Sequence, residues 1–448
     1  MDFFFNPKNV AIVGASIGSG KLSAVIMENL VSSYGDRVYP VNPKYESLMG
    51  LRCYPSLKAI GDNVDLAVFA VSANAIPGLL REAEGVLRGA IIISGGFGEA
   101  QGEGERLDAG LRSAIKDTGI RVIGPNCLGV LDAHSGLDTF FIPKDRVKRP
   151  KPGRLSILSQ SGSFALTAVD ELAQEAIGVS RVVSYGNMAD VDESELLEYL
   201  AHDEMTGAVA LYIESVGDGR RFVESARRCS MKKPVMAVKV GRFDAGVSAA
   251  RSHTGALAGR YELYRAGFRK ASIIEAHGYE EFIDGCKALG SSVRAKGKRV
   301  VIITDGGGVG VNIADACVGA RLEVDPVSDG LKEDFKKFLP PYCSLANPID
   351  LTGSVLDEWF SETLAHALKG DLYDMAIVAP LWGPPGLTDR LPRLIAEAGR
   401  ASNKPVIVCT PGGAYTKAKM RLFRENGFAV FTSPESAARA AGILATGA

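Results

Sequence analysis

The chain has 448 residues, room for about three domains of ordinary size. Its 51 basic and 52 acidic residues nearly cancel, which argues against a nucleic-acid surface or an acidic tail. An apolar content of 46% with 51 glycines and few aromatics fits a large α/β protein, and seven scattered cysteines without a C-x-x-C pair fit reduced thiols and no zinc site.

Met1–Val13 lacks the basic start and long apolar core of a signal peptide, and no apolar run reaches membrane-spanning length. A cytoplasmic protein with no membrane association is expected. Each third of the chain opens alike: an aliphatic run meets small residues, and a helical pattern follows. The three openings are Asn9–Gly20 (NVAIVGASIGSG), Arg154–Phe164 (RLSILSQSGSF) and Arg299–Gly310 (RVVIITDGGGVG). Short aliphatic runs alternating with helices predict parallel sheets, hence an α/β fold of three Rossmann- or flavodoxin-like modules. A strand, Gly/Ser turn and helix in that order aims free backbone N–H groups at an anion. Three such turns point to phosphate chemistry. Pro143–Gly153 (PKDRVKRPKPG) and Ser291–Lys298 (SSVRAKGK) read as linkers, giving modules over 1–145, 150–290 and 296–448.

In the first module Gly14, Ala15 and Ser16 form the turn after the first strand. A nicotinamide cofactor wants an acidic residue at the end of the second strand. The chain offers Asn42-Pro43-Lys44 instead, and a lysine suits a phosphate rather than a ribose diol. The expected ligand therefore carries an extra ribose phosphate: coenzyme A, or the phosphorylated nicotinamide cofactor. The turn Ser94-Gly95-Gly96 follows another strand and is placed to line the same crevice. Cys127 is a poor nucleophile candidate, with no basic neighbour to lower its pKa.

In the second module Ser159-Gln160-Ser161-Gly162-Ser163 is a helix-opening turn, not the Gly-x-Ser-x-Gly of a hydrolase elbow. Its hydroxyls and amides suit phosphate. Gly207–Glu214 is a strand ending in a carboxylate, and crevices in such sheets lie at carboxyl ends of strands. His253 stands between Ser252 and Thr254 amid small residues, on a segment without bulky anchors. In the third module Gly306-Gly307-Gly308 opens a helix.

Taken together, Val13–Ser16, Asn42–Lys44, Gly124-Pro125-Asn126, Ser159–Ser163, Gly186-Asn187, Tyr212–Glu214 and above all Ser252–Gly259 (SHTGALAG) resemble the α subunit of nucleoside-diphosphate-forming acyl-CoA synthetases, in the superfamily of succinyl-CoA synthetase. The resemblance spans nearly the whole chain. It implies that acyl-CoA, phosphate and ADP are interconverted with a carboxylic acid, CoA and ATP. It implies that His253 carries the phosphoryl group and that Glu214 faces it. Ser161, Gly162, Ser163 and Gly306, Gly307, Gly308 then correspond to two phosphate-holding helix starts. Gly14, Ala15, Ser16, Lys44, Ser94, Gly95 and Gly96 correspond to CoA-binding positions, and Asn126, Gly186 and Asn187 to substrate-binding ones. No metal site is expected on this chain. No segment resembles the ATP-grasp domain that binds the nucleotide in this family. A separate β subunit holding ADP/ATP with Mg2+, in an α2β2 assembly, is therefore expected. A non-catalytic CoA- or nucleotide-sensing module is the alternative, and a nicotinamide dehydrogenase a distant third.

Overall fold

The computed structural model describes residues 1–18, 20–100, 102–246, 259–291 and 293–445. These divide into two compact units: residues 1–174 with 178–278, and residues 175–177 with 279–448. Among the described residues no helix is long and apolar enough to cross a membrane.

The first unit holds two main sheets. In the first, the strands Val38–Val41, Val10–Val13, Val64–Phe69, Leu87–Ile92 and Arg121–Ile123 lie side by side in that order, all parallel. Numbered along the chain, the order is 2-1-3-4-5. Val10–Val13 and Val64–Phe69 are buried throughout. Helices on both faces of a parallel sheet require such unbroken apolar runs.

The second sheet repeats the order. Its parallel strands are Pro152–Ser159, Val179–Ser184, Ala208–Ile213, Val235–Lys239 and Ile274–Ala276, again arranged 2-1-3-4-5. Two strands that the sequence assigned to the first module extend this sheet. Gly129–Asp132 pairs antiparallel with Val179–Ser184, and Leu137–Asp138 pairs with Gly129–Asp132. The presumed linker 143–153 is also anchored rather than loose. Arg149 reaches Asp138 at 3.0 Å and bonds the carbonyls of Val147 and Ile142, and Pro152 and Gly153 already belong to a strand. Arg149 finds its carboxylate partner on the strand Leu137–Asp138, distant enough in pattern that the sequence reads as a linker.

The second unit has one parallel sheet of Ile349–Asp350, Val300–Thr304, Met375–Ala379, Val406–Cys409 and Val430–Phe431, once more 2-1-3-4-5 in chain order. The helix Tyr279–Ser291 falls in this unit, although the sequence reading placed it in the second module. In doubly wound sheets a ligand crevice opens where the order reverses, between the first and third strands. Each sheet therefore has one such point, and the helix-opening turns at Gly14, Ser161 and Gly307 each follow the strand beside it.

Candidate active site

In the second sheet the reversal lies between Pro152–Ser159 and Ala208–Ile213. A cavity of about 570 Å³ opens there. Ser161, Gly162 and Ser163 line it from the first strand, Glu214 from the third, and Gly186, Asn187 and Asn126 from a neighbouring wall. Residues read from four separate stretches thus share one cavity.

Each wall has a local cause. Ser161 caps the helix Gly162–Gln174: its hydroxyl accepts the N–H of Phe164 at 3.3 Å and pairs with Ser163 Oγ at 3.1 Å. Ser159 Oγ donates to the Ser161 carbonyl at 2.7 Å and holds the turn. The N–H groups of a first helical turn have no intrahelical acceptor, so this helix start presents donors and a positive dipole end to the cavity.

Glu214 follows the last residue of its strand and is held from across the reversal point. Gln160 Oε1 accepts the N–H of both Glu214 and Ser215, the latter at 2.9 Å, while Gln160 Nε2 donates to the Ser215 carbonyl at 2.9 Å. Gln160 escaped the sequence reading. The only signal for it was its position next to the helix-opening serines.

The wall carrying Gly186 and Asn187 is pinned to the edge strand of the first sheet. Asn187 N–H bonds the Pro125 carbonyl at 2.9 Å, Ala189 N–H that of Gly124 at 2.9 Å, and Val191 N–H that of Val122 at 3.1 Å. Arg121 clamps the same segment through Asp190 at 2.8 Å and Glu195 at 2.6 Å. Gly186 has φ +53°, and a Cβ there would fall on the carbonyl oxygens of Pro125 and Asn126, so only glycine permits this approach. Asn126 Nδ2 then lies 3.3 Å from Asn187 Oδ1. Glu99, also missed, accepts from Asn187 Nδ2 and from the Gly96 N–H.

Cys127 lines the cavity but is inert. Burial pushes its thiol up to about 12, and Sγ bonds the Ile92 carbonyl at 3.2 Å. Polar groups on the strand before Glu214 and on neighbouring elements are wholly or partly buried. Burial raises the Glu193 carboxyl to about 7, with Asp192 adding to the rise, and lowers the Lys239 ammonium to about 8 against the pull of Glu214. Burial also pushes the Tyr185 and Tyr212 phenols upward, and the Glu214 charge adds to both.

A second cavity of about 340 Å³ lies at the reversal point of the first sheet, lined by Gly14, Lys44, Val13, Val41 and Val71. Gly14 has φ +87°, and a Cβ there would meet the Ala70 carbonyl oxygen at 2.6 Å. Ala15 is buried behind it, and the Ser16 hydroxyl is taken up by Ser23 Oγ at 2.7 Å. These two support the turn and do not line the cavity. Ser94, Gly95 and Gly96, expected to line the first-sheet crevice, line neither cavity, but Ser94 bonds a lining residue of each. Its hydroxyl donates to the Val71 carbonyl, and its own carbonyl accepts the N–H of Asn126 at 2.9 Å. Gly95 packs beside Asn126: a Cβ there would stand 3.1 Å from Asn126 Oδ1.

In the other unit Gly306 precedes the helix Gly307–Gly319, and two carboxylates attend the turn. Asp305 Oδ1 accepts the Leu381 N–H at 2.9 Å, and burial raises its carboxyl to about 6. Asp350 Oδ2 would lie 2.8 Å from a Cβ on Gly307. His253 lies outside the described residues.

Three family models match the chain: a CoA binding domain over 8–133, a succinyl-CoA ligase like flavodoxin domain over 152–289, and a Ligase-CoA domain over 300–442. The chain is 36% identical to the ADP-forming acetate–CoA ligase II subunit alpha of Pyrococcus furiosus, over 99% of this chain and 97% of that one. It is 38% identical to the ADP-forming acetate–CoA ligase I of Archaeoglobus fulgidus, over 99% of this chain but 63% of that longer protein. The dinucleotide-forming acetyl-coenzyme A synthetase 1 of Ca. Korarchaeum cryptofilum, solved with phosphate and ADP, superposes with a TM-score of 0.92 at 34% identity, covering 99% of this chain and 96% of that one.

Proposed function

The chain belongs to the ADP-forming acetate–CoA ligase family, and from that premise we propose that it is an α subunit that interconverts acyl-CoA, phosphate and ADP with a carboxylic acid, CoA and ATP. The observation that carries this reading is the cavity shared by the Ser161–Ser163 helix start and Glu214, with a second cavity at Lys44 whose lining residue Val71 is tied through Ser94 to Asn126 of the first. A ligand with a charged nucleotide end and a distant reactive end needs such a paired arrangement, and CoA is one.

In this reading Lys44 and the Gly14 turn take the nucleotide end of CoA, and the thioester reaches Asn126, Gly186 and Asn187. Phosphate sits on the N–H groups at Gly162 and Ser163. A phosphate oxygen attacks the thioester carbonyl and the C–S bond breaks. The CoA thiolate leaves and takes up a proton, and an acyl phosphate remains. A neutral nitrogen of His253 then attacks phosphorus, the P–O bond to the acyl group breaks, and the carboxylate departs. Glu214 accepts the other imidazole N–H, setting the tautomer and balancing the cationic phosphoimidazole. Positioning and charge stabilisation do the work in such transfers, and a helix start supplies both. The phosphoryl group passes finally to ADP, held with Mg2+ on a β subunit of ATP-grasp type in an α2β2 assembly. The turn Gly306–Gly308 serves as the second phosphate station.

The test is incubation of the chain with acetyl-CoA and labelled phosphate. Acid-labile, base-stable label on His253 is expected, lost on addition of ADP and the β subunit. A chain that stays unlabelled with that partner present overturns the reading.

A further inference from the structure

Asn126 and Asn187 both line the cavity of the second sheet. An amide turned end for end keeps its outline but exchanges a donor for an acceptor. Glu99 removes that freedom. Its Oε2 accepts from Asn187 Nδ2, and a carboxylate has only acceptors to offer, so the nitrogen end of Asn187 must meet it. Asn187 Oδ1 then faces Asn126, which answers with its own nitrogen, Nδ2, at 3.3 Å. One carboxylate thus sets the direction of two amides in series.

Each amide nitrogen carries two N–H groups. Asn187 gives one to Glu99 and Asn126 gives one to Asn187, and no described residue accepts the second of either. The series is braced along its length. Glu99 Oε1 accepts the Gly96 N–H, in the turn after the strand Leu87–Ile92. A Cβ on Gly95 would stand 2.9 Å from Glu99 Oε1 and 3.1 Å from Asn126 Oδ1, so the turn closes over both side chains. The backbone N–H of Asn126 is held by the Ser94 carbonyl and that of Asn187 by the Pro125 carbonyl, each at 2.9 Å. The Gly96 N–H, placed among the CoA contacts by sequence, is therefore filled by a side chain of the protein itself.

We propose that Glu99 is a positioning residue for the thioester step: it holds Asn187, and through it Asn126, so that an amide N–H of each remains for the thioester oxygen. The proposal rests on the placement of the thioester beside these two residues given above. As the phosphate oxygen bonds to the carbonyl carbon, negative charge gathers on the carbonyl oxygen, and it returns to carbon as the C–S bond breaks. Donors fixed in advance at that oxygen lower the barrier. Reversed amides would present two oxygens to it and repel it. The Glu99 charge gives an oxyanion no support, so its contribution is geometric. Glutamine at this position keeps the length but has one acceptor end and one donor end, and it cannot accept from both Gly96 and Asn187.

The test uses acetyl-CoA labelled with carbon-13 at the thioester carbonyl, bound to the full chain and to Glu99→Gln, Glu99→Ala and Asn187→Ala. In the wild-type chain the infrared carbonyl band is expected at lower frequency than in free acetyl-CoA in water, and all three variants are expected to lose much of that shift. CoA release at saturating acetyl-CoA and phosphate is expected to fall about ten- to a hundredfold in the Glu99 variants, somewhat less than outright removal of a preorganised donor costs. CoA affinity, measured by calorimetry, stays unchanged, because CoA itself has no thioester carbonyl. A shift lost in Asn187→Ala but kept in both Glu99 variants overturns the role of Glu99 alone. A rate loss matched by a loss of CoA affinity also overturns it, as general damage to the fold. If the wild-type chain binds no acetyl-CoA, or the band sits at one frequency in the wild type and all variants, the thioester does not lie at this wall, and the placement fails together with the role.

Discussion

Gln160 and Ser215 meet as a two-point amide pair across the reversal point of the second sheet, with Oε1 on the Ser215 N–H and Nε2 on its carbonyl, both at 2.9 Å. The same oxygen takes the N–H of Glu214. The backbone that carries the Glu214 carboxylate is thus oriented by a side chain 54 residues away. Gln160→Leu leaves two strand-end N–H groups without their acceptor, costing about 1–3 kcal/mol for each that stays buried. A displacement near 1 Å at Glu214 lowers the rate of His253 phosphorylation about a hundredfold. CoA affinity is expected to hold. Label-incorporation rates with calorimetric CoA titration check this, and parallel losses in both would show general collapse instead.

Glu214→Gln keeps the shape and removes the charge. Loss of one preorganised stabilising group costs roughly two to three orders of magnitude in the histidine step. CoA release from acyl-CoA and phosphate should suffer less, because the imidazole is not yet cationic. Measuring both rates on the one variant separates the steps, and an equal fall in the two would show that Glu214 does not face the phosphohistidine.

Lys44 lines the cavity of the first sheet together with Gly14. Lys44→Ala removes one charge-assisted hydrogen bond to the nucleotide end, about 1.5–3 kcal/mol, hence roughly ten- to a hundredfold in CoA affinity. Phosphorylation of His253 by added acyl phosphate stays largely intact, since Lys44 and Glu214 stand at the ends of strands in different sheets. Unchanged CoA affinity removes Lys44 from the site.

Glu193 is 1% exposed, and its Oε2 has no hydrogen-bond partner among the described residues. Its folded carboxyl, near 7, lies above the ordinary 4.5. The folded chain therefore holds this proton while the unfolded chain releases it. Stability from this group is fully present below about pH 4.5 and falls as pH rises to 7. Glu193→Gln removes the ionisation, so the variant is expected to be more stable than wild type above pH 7 by about 2–3 kcal/mol, with the difference closing at low pH. Denaturant unfolding at several pH values measures it, and a difference independent of pH contradicts it.

The sequence by itself determined the strands of three parallel sheets and the turns that open the helices after them. Unbroken aliphatic runs such as Val10–Val13 and Val300–Thr304 specify buried parallel strands, and the glycines and serines after them specify where each helix begins, because these signals are local. It also picked out Lys44, Ser161–Ser163 and Glu214 as chemistry at strand ends. Only the tertiary structure decided which of these share a cavity, since that follows from strand order, which hydrophobic runs do not encode. The same limit moved Gly129–Asp132 and Leu137–Asp138 into the second sheet and turned the basic stretch around Arg149 into an anchored segment. Gln160, Glu99, Glu193 and Lys239 were invisible for one physical reason. Gln160 and Glu99 bond partners distant in sequence, Glu193 and Lys239 are perturbed by burial, and both exist only once the sheets have packed.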